Sequence, residues 1–145
     1  MGSKGERGIR MQVLVIDAQG GGIGKQVVAT IKKERPEVKI TAVGANASAT
    51  AAMMKAGADQ GATGENAVIV NCRKADVIVG PIGIVIADAL LGEITPKIAL
   101  AVAQSNAKRI LIPINHCDNM VVGVGDLNIS KLIKDVIEAL NTVSC

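Results

Sequence analysis

The apolar residues of this chain fall into short runs that alternate with segments of helical period. The first run, Val13–Ile16, ends at Asp17 and predicts a buried strand at 11–17. The following segment, Gly22–Glu34, carries its apolar residues on one face and predicts a helix, which ends before Pro36 because a residue preceding proline avoids helical backbone angles. The clearest helical pattern comes last, at 129–140, where apolar residues recur three and four positions apart.

The same patterns predict the remaining elements. Thr63 is expected to cap the helix that follows it, and Pro96 is expected to open another helix as its first residue. Further strands are predicted at 38–43, 58–63 (a weak edge strand), 76–81, 109–114 and 121–124 (a short strand). Further helices are predicted at 48–55, 65–74, 83–91 and 95–105.

Strands that alternate with helices imply right-handed crossovers and a parallel sheet. We therefore predict a three-layer α/β fold of the Rossmann-like, doubly wound type, with a mainly parallel sheet of five to six strands and helices on both faces. In the strand order 3-2-1-4-5, the first and fourth strands are neighbours at the switch point, where the chain changes its direction across the sheet. A single domain is expected over 11–145. The polar, glycine-rich start, MGSKGERGIR, is expected to be a disordered tail over 1–10.

The composition narrows the possible partners. The chain of 145 residues contains no Phe, Tyr or Trp, so it lacks the large aromatic rings on which nucleic-acid bases usually stack. Its net charge is +3, of which Lys4, Arg7 and Arg10 against Glu6 place +2 in the first ten residues. We expect no nucleic-acid and no membrane partner. The odd, widely spaced cysteines and the lack of a secretory signal pattern favour reduced thiols and a cytoplasmic location.

Four glycines crowd into five positions directly after the first strand. A strand, a glycine turn and a helix N-terminus together form a cradle for an anion, because exposed backbone N–H groups and the helix dipole favour negative charge. We predict that a phosphate or nucleotide binds here, with Lys25 adding positive charge. The predicted binding residues of this turn are Gly20, Gly21, Gly22, Ile23, Gly24 and Lys25.

Three known phosphate-binding patterns resemble this turn, and each is incomplete. The dinucleotide pattern G-x-G-x-x-G has Lys25 in place of its last glycine. The short-chain dehydrogenase turn has Ala18 in place of its first glycine, and its catalytic tyrosine is impossible in this chain. The P-loop pattern has Gln26 in place of the hydroxyl residue that binds magnesium.

The ligand is constrained further by the end of the second strand, where an acid usually binds the adenosine ribose. The residues there are Val43-Gly44-Ala45-Asn46, which include no acid and disfavour NAD. NADP remains open as a ligand, with Asn46 or Ser48 as contacts for its extra phosphate. Another nucleotide remains open as well. ATP hydrolysis would need a metal-binding acid. Asp17 is a candidate, whereas Asp76 begins its strand at the wrong edge of the sheet.

A second glycine turn follows the fourth strand. Gly80, Pro81 and Gly83 are expected to face the first turn across the switch point and to complete the binding site. The apolar segments around them, 77–91 and 96–102, are also expected to bury a partner surface, which predicts a homodimer.

Several ionisable residues are candidates for catalysis. Asp17, Glu65 and Glu93 are possible acids or bases, although for Glu93 a solvated charge in a loop is the favoured interpretation. Asp88 is predicted on an apolar helix, where an unpaired carboxylate would have a shifted pKa. Cys117 is a possible nucleophile with His116 as its base, next to Asp118. A lone His-Cys step lacks the recurring spacing of metal ligands, so no metal site is predicted.

Long stretches of the chain resemble a family of short bacterial proteins. They are VIDAQGGGIGK, GADQGATGENAVIVNCRKADVIVGPIGIVIADALLGEITPKIA and ILIPIN, and the resemblance covers nearly all of 11–140. The family is a domain of unknown function, common in anaerobic, clostridia-like bacteria. The resemblance implies a small, cytoplasmic Rossmann-like protein and brings no activity, substrate or catalytic residue.

The sequence therefore favours a small-molecule-binding protein that holds a nucleotide, dinucleotide or phosphorylated metabolite at its glycine turn. Two other functions stay open. One is an enzyme, either an NADP-linked oxidoreductase or a phosphate-handling transferase, and the other is a sensory or scaffolding dimer without chemistry.

Overall fold

The computed structural model describes residues 10–114, 118–125 and 128–143. The strands are β1 (Gln12–Asp17), β2 (Lys39–Gly44), β3 (Gln60–Thr63), β4 (Val77–Pro81) and β5 (Lys108–Ile112). The helices are α1 (Gly22–Glu34), α2 (Ala47–Lys55), α3 (Glu65–Cys72), α4 (Pro96–Gln104) and α5 (Ile129–Asn141), and a short 3₁₀ helix spans Ile82–Val85.

The described part of the chain forms one parallel sheet of five strands in the order β3-β2-β1-β4-β5. This confirms the predicted doubly wound, three-layer α/β fold and its strand order. Buried residues of α1, α2 and α5 pack on one face of the sheet, and those of α3 and α4 pack on the other. β1 lies at the centre, and its last residue, Asp17, is in register with Gly44 at the end of β2.

The alternation of side chains along β1 explains this layering. Val13 and Val15 belong to the core beneath α1, whereas Leu14 and Ile16 belong to the core beneath α3 and α4. A strand covered on both faces has to be apolar at successive positions, as β1 is. In the sequence, β1 is therefore a continuous apolar run, whereas the apolar residues of α1 fall on one face of the helix.

The helix predicted at 83–91 is wrong. After the 3₁₀ helix, the chain forms a loop in which Asp88, Leu90 and Leu91 adopt left-handed backbone angles, with φ of 66°, 56° and 58°. Left-handed residues cannot continue a right-handed helix. The apolar pattern has another cause, because Ile84 is fully buried in the core beneath α4, and Val85, Ala89 and Leu90 pack against that core.

Three smaller predictions are also wrong. No strand forms at 121–124, where the described residues make a turn with Gly123 at φ 87° and Val122 is 96% exposed. Gly64, and not Thr63, caps α3, because the Thr63 hydroxyl pairs with the Thr50 hydroxyl at 2.7 Å. Asp88 is exposed in its loop rather than buried on a helix.

Two predictions about the whole chain stay predictions. The expected tail falls on 1–10, of which only Arg10 is described, and the homodimer is not tested by a single chain. Leu91 and Leu100 of the segments expected to meet a partner are 95% and 54% exposed. Among the described residues, no helix is both long enough and apolar enough to cross a membrane.

Candidate functional site

The connection from β1 to α1 is a tight turn at the carboxyl edge of the sheet. Gly21 N–H donates to the carbonyl of Ala18 at 3.0 Å and closes the turn. Gly21 has a φ of 72°, a left-handed angle that suits glycine, and α1 begins at the next residue. The turn thus places the N-terminus of α1 directly beyond the end of the central strand.

Asp17 holds this turn in place. Its carboxylate accepts from the backbone N–H of Ala18 at 2.8 Å and from that of Gly24 at 2.6 Å. Burial raises the pKa of Asp17. The N–H groups of Gly24 and Ala18 oppose that rise, and the nearby charge of Glu93 adds to it. One oxygen of this candidate acid therefore holds the start of the turn, at Ala18, and the other holds the first turn of α1, at Gly24.

The four glycines of the turn divide into two pairs. A Cβ on Gly21 would lie 2.9 Å from Ala49 Cα, and a Cβ on Gly24 would lie 2.6 Å from Met53 Sδ and 2.9 Å from Asp17 Cβ. Close packing against α2 and β1 therefore explains these two glycines. A Cβ on Gly20 or Gly22 would meet nothing within 4 Å. Packing does not explain this second pair.

The N–H groups of Gly20 and Gly22 have no hydrogen-bond partner within the described part of the chain. Both glycines are exposed, and Gly22 is the first residue of α1. Two unpaired N–H groups beside open space at a helix N-terminus can receive an anionic oxygen. This pair is the part of the turn that a ligand can approach.

A cavity of about 240 Å³ lies over the turn. Two residues from other parts of the chain line it with the glycines: Leu90, from the loop after β4, and Ile129, the first residue of α5. Lys25 is exposed and does not line the cavity. The other lining residues are Asp17, Ala18, Gln19, Gly20, Gly21, Gly22, Ile23 and Gln26.

The loops after β1, β2 and β4 are joined by Glu93. Its carboxylate accepts from Gln19 N–H at 2.6 Å and from the Asn46 side-chain amide at 2.6 Å. The Asn46 amide also donates to the Gln19 carbonyl at 2.9 Å, while its oxygen caps α2 by accepting from Ala49 N–H. Glu93 is therefore an organised part of this edge and not a solvated loop charge.

The second glycine turn does not contribute to the cavity, although the sequence predicted that it would complete the binding site. Gly80, Pro81 and Gly83 are buried and do not line the cavity. A Cβ on Gly80 would lie 2.5 Å from the carbonyl oxygen of Ile16, so close packing of β4 on β1 accounts for this glycine. The chain after β4 reaches the cavity later, through Leu90, while Glu93 lies outside its lining and contacts it through Gln19.

The other candidate residues lie away from this arrangement or outside the described residues. Glu65 begins α3 and accepts from the Thr95 hydroxyl at 2.7 Å, and that hydroxyl caps α4. Asp118 is exposed, and His116 and Cys117 lie outside the described residues. Burial raises the pKa of the Cys72 thiol to about 11, as suits a packing thiol. Within the described ranges, no three His, Cys, Asp or Glu side chains converge on a possible metal position.

A larger groove, of about 1110 Å³, runs between β5 and α5. Two of its charged side chains, Lys131 and Asp135, pair with each other at 3.2 Å along one turn of α5. It lies along the outer edge of the sheet, away from the switch point where ligands of doubly wound sheets bind. The glycine-turn cavity is therefore the stronger candidate despite its smaller volume.

The titration of Asp17 leads to a testable pH dependence. We expect the wild-type protein to gain stability relative to Asp17→Asn as the pH falls from about 7 to about 4. Because the pKa of Asp17 is raised above 3.8, the folded chain takes up this proton at a higher pH than the unfolded chain does. The free energy of unfolding therefore rises as the pH falls through the folded pKa, and the rise ends near 3.8.

Urea midpoints of both proteins across this pH range measure the effect. Carboxylates remote from Asp17 contribute alike in both proteins and cancel in the difference. A difference between the two midpoints that stays constant with pH, or that moves against the wild type on acidification, would contradict the expectation.

The order 3-2-1-4-5, with a glycine turn after the central strand, defines a doubly wound α/β protein of the Rossmann-like class. The chain belongs to the family described as a domain of unknown function, DUF3842, whose model matches residues 12–144. This confirms the predicted membership of an uncharacterised family. No protein of curated function matches the chain.

One similar solved structure is a dodecameric FMN-dependent UbiX-like decarboxylase from Escherichia coli O157:H7. The two share 17% sequence identity with a TM-score of 0.45, over 90% of this chain and 75% of that chain. At this level of likeness we draw nothing about ligand or activity.

Proposed function

We propose that this protein binds a small phosphorylated ligand in the cavity over the β1–α1 turn, with the phosphate on the N–H groups of Gly20 and Gly22. The observation that carries the proposal is the division of the glycines. Gly21 and Gly24 are needed for close packing, whereas Gly20 and Gly22 leave open space beside unpaired N–H groups. A side chain at either position would obstruct the approach of a phosphate to the backbone.

The size of the cavity supports a small ligand. Pockets for drug-sized molecules span about 300–1,000 Å³, and this cavity has about 240 Å³. It suits a phosphoryl group with an attached sugar better than a whole dinucleotide such as NADP. The rest of a larger ligand would extend into solvent.

The charges near the cavity indicate modest affinity. Asp17 is the only charged side chain among the lining residues of the described chain, and it is committed to Ala18 and Gly24. Attraction for a phosphate must therefore come from the unpaired N–H groups and the dipole of α1, with Lys25 nearby on its first turn. We expect binding that weakens as salt concentration rises.

We favour binding over catalysis because two of the candidate catalytic acids already have structural partners. Asp17 serves the first turn of α1, and Glu65 serves the capping hydroxyl of α4. The oxidoreductase and transferase alternatives need a reacting group, which a cofactor screen for turnover would detect. A dimer without chemistry would bind none of the compounds tested below.

Isothermal titration calorimetry tests the proposal with inorganic phosphate, ribose 5-phosphate, AMP and NADP. We expect the double variant Gly20→Ala/Gly22→Ala to bind at least about tenfold more weakly. Both N–H groups remain, but the added methyl groups obstruct the approach of the phosphate to them, and each N–H bond to a charged group contributes about 1.5–3 kcal/mol. Lys25→Ala should lose less, about two- to fivefold, because its charge is exposed to solvent.

The double variant should fold normally, with a free energy of unfolding within about 1 kcal/mol of the wild type, since no atoms crowd either position. Gly125→Ala is the matched control, because its Cβ also meets nothing within 4 Å and Gly125 does not line this cavity. If no phosphorylated compound binds, or if the double variant binds as the wild type does, the proposed site is wrong.

A further inference from the structure

Glu93 has a position that its place in the sequence does not suggest. It follows β4 by twelve residues, yet its carboxylate lies between the ends of β1 and β2, on Gln19 N–H and the Asn46 amide. Asn46 is the second residue after β2, and Gln19 is the second residue after β1. The carboxylate therefore occupies the rim of the sheet where these two strands end.

An acid at this place has a known chemical use. In doubly wound sheets that bind nucleotides, an Asp or Glu at the end of the second strand accepts hydrogen bonds from ribose hydroxyls, beside the glycine turn that holds the phosphate. This chain has Val43-Gly44-Ala45-Asn46 there and no acid. Glu93 supplies a carboxylate to the same rim from a loop 47 residues further along the chain than Asn46.

The Glu93 carboxylate can accept further hydrogen bonds from a ligand. Each of its oxygens can accept about two hydrogen bonds, and each accepts one within the described structure. Glu93 is only half-buried, so the remaining lone pairs are not closed off by the core. Because these two internal bonds fix both oxygens, the carboxylate is already oriented before any hydroxyl arrives.

The distance to the phosphate position is short. Glu93 binds the N–H of Gln19, and the first unpaired N–H of the turn belongs to the next residue, Gly20. Neighbouring residues are roughly 3–4 Å apart along the backbone. A phosphate on the Gly20 amide and a hydroxyl on Glu93 can thus belong to one sugar.

We propose that Glu93 selects the ligand by accepting hydrogen bonds from sugar hydroxyls, so that the ligand is a phosphate ester of a sugar with vicinal hydroxyls. This inference rests on the proposed phosphate site. The shared chemistry is that of a ribose phosphate, either free or within a mononucleotide. The chain contains no Phe, Tyr or Trp to stack a base, so the sugar and the phosphate carry the recognition.

Calorimetric titration of the full chain with matched pairs tests the role of Glu93. The pairs are ribose 5-phosphate against its 2-deoxy analogue, and AMP against 2′-deoxy-AMP. The wild type should prefer each hydroxylated member about tenfold, which corresponds to one hydrogen bond to a charged group. Glu93→Gln should lose most of this preference, because its amide has one acceptor oxygen where the carboxylate has two. It should bind inorganic phosphate at least as tightly as the wild type does, since the substitution removes a negative charge beside the phosphate position.

Glu138→Gln is the matched control, because it removes the same charge from an exposed position on α5 and should keep the preference. Glu93→Asp retains the carboxylate on a shorter side chain and should keep part of the preference. Urea unfolding of each variant shows that the fold is intact. If AMP and ribose 5-phosphate bind with equal affinity, the protein recognises the sugar phosphate alone. If AMP binds more tightly, the protein recognises the ribose phosphate as part of a mononucleotide.

The two proposals fail in different ways. If inorganic phosphate and the sugar phosphates bind but the wild type does not distinguish hydroxylated from deoxy ligands, or Glu93→Gln distinguishes them as well as the wild type does, the inference about Glu93 is overturned and the phosphate site stands. If none of these compounds binds the wild type, the phosphate site fails and the inference fails with it.

Discussion

Gly80→Ala is expected to destabilise the protein by about 3 kcal/mol or more, at the upper end for adding a methyl group to a packed core. The new Cβ would lie 2.5 Å from the carbonyl oxygen of Ile16 and 2.9 Å from Ile84 Cδ1. The oxygen belongs to β1, and β1 and β4 are paired at the centre of the sheet. Neither strand can move away without disturbing its neighbours. Urea denaturation would show the loss as a lower midpoint at an unchanged slope.

Gly20→Ala is the control for this prediction. It adds the same methyl group where nothing lies within 4 Å, and its midpoint should match that of the wild type closely. A loss of similar size in both variants would mean that crowding at β1 is not the cause. A domain of this size has a total stability of about 5–15 kcal/mol, so Gly80→Ala should remain measurable at low temperature even if it is poorly folded at 37 °C.

Asp17→Ala is the second large effect, with an expected loss of about 2–4 kcal/mol. The substitution leaves the N–H groups of Ala18 and Gly24 without their acceptor, and each unsatisfied buried group costs about 1–3 kcal/mol. Relief of the buried charge offsets part of this loss, because burial raises the pKa of Asp17. Thermal and urea unfolding measure the change in the free energy of unfolding.

The same variant should also weaken phosphate binding, because Asp17 positions the first turn of α1 on which Gly22 lies. Asp135→Ala is the control for removing an aspartate. Its carboxylate forms an exposed pair with Lys131 at 3.2 Å, and such pairs contribute about 0–1 kcal/mol. If Asp17→Ala were as stable as Asp135→Ala, the carboxylate would not be what holds the turn.

Much of the fold follows from local patterns. The helix predicted at Gly22–Glu34 has these bounds in the structure, and the five predicted strands that form agree within a few residues. Burial on one face leaves a period of 3.6 residues in a helix, whereas burial on both faces leaves an apolar run in a parallel strand. Both signals are contained in neighbouring residues. The alternation of strands and helices then restricted the order of the sheet, because parallel connections are right-handed.

The segment from Ile82 to Ile94 could not be predicted in this way. Its apolar residues resemble a buried helix, but Leu90 and Leu91 adopt left-handed angles that leucine rarely takes. The hydrogen bond from Asp88 N–H to the Ile94 carbonyl and the burial of Ile94 hold the loop in this form. Such a conformation is set by packing against the rest of the protein, and local residue preferences oppose it.

The sequence by itself determined the strands of the sheet and the glycine turn beyond β1, because each of these follows from residues close together in the chain, and it restricted the order of the strands. Only the tertiary structure decided which glycines are free, since crowding at Gly21 and Gly24 comes from α2 and β1. It alone also brought Glu93 to Gln19, across 74 residues. A contact of that separation leaves no periodic signal, because the position of a loop is settled only when the elements on either side of it have packed.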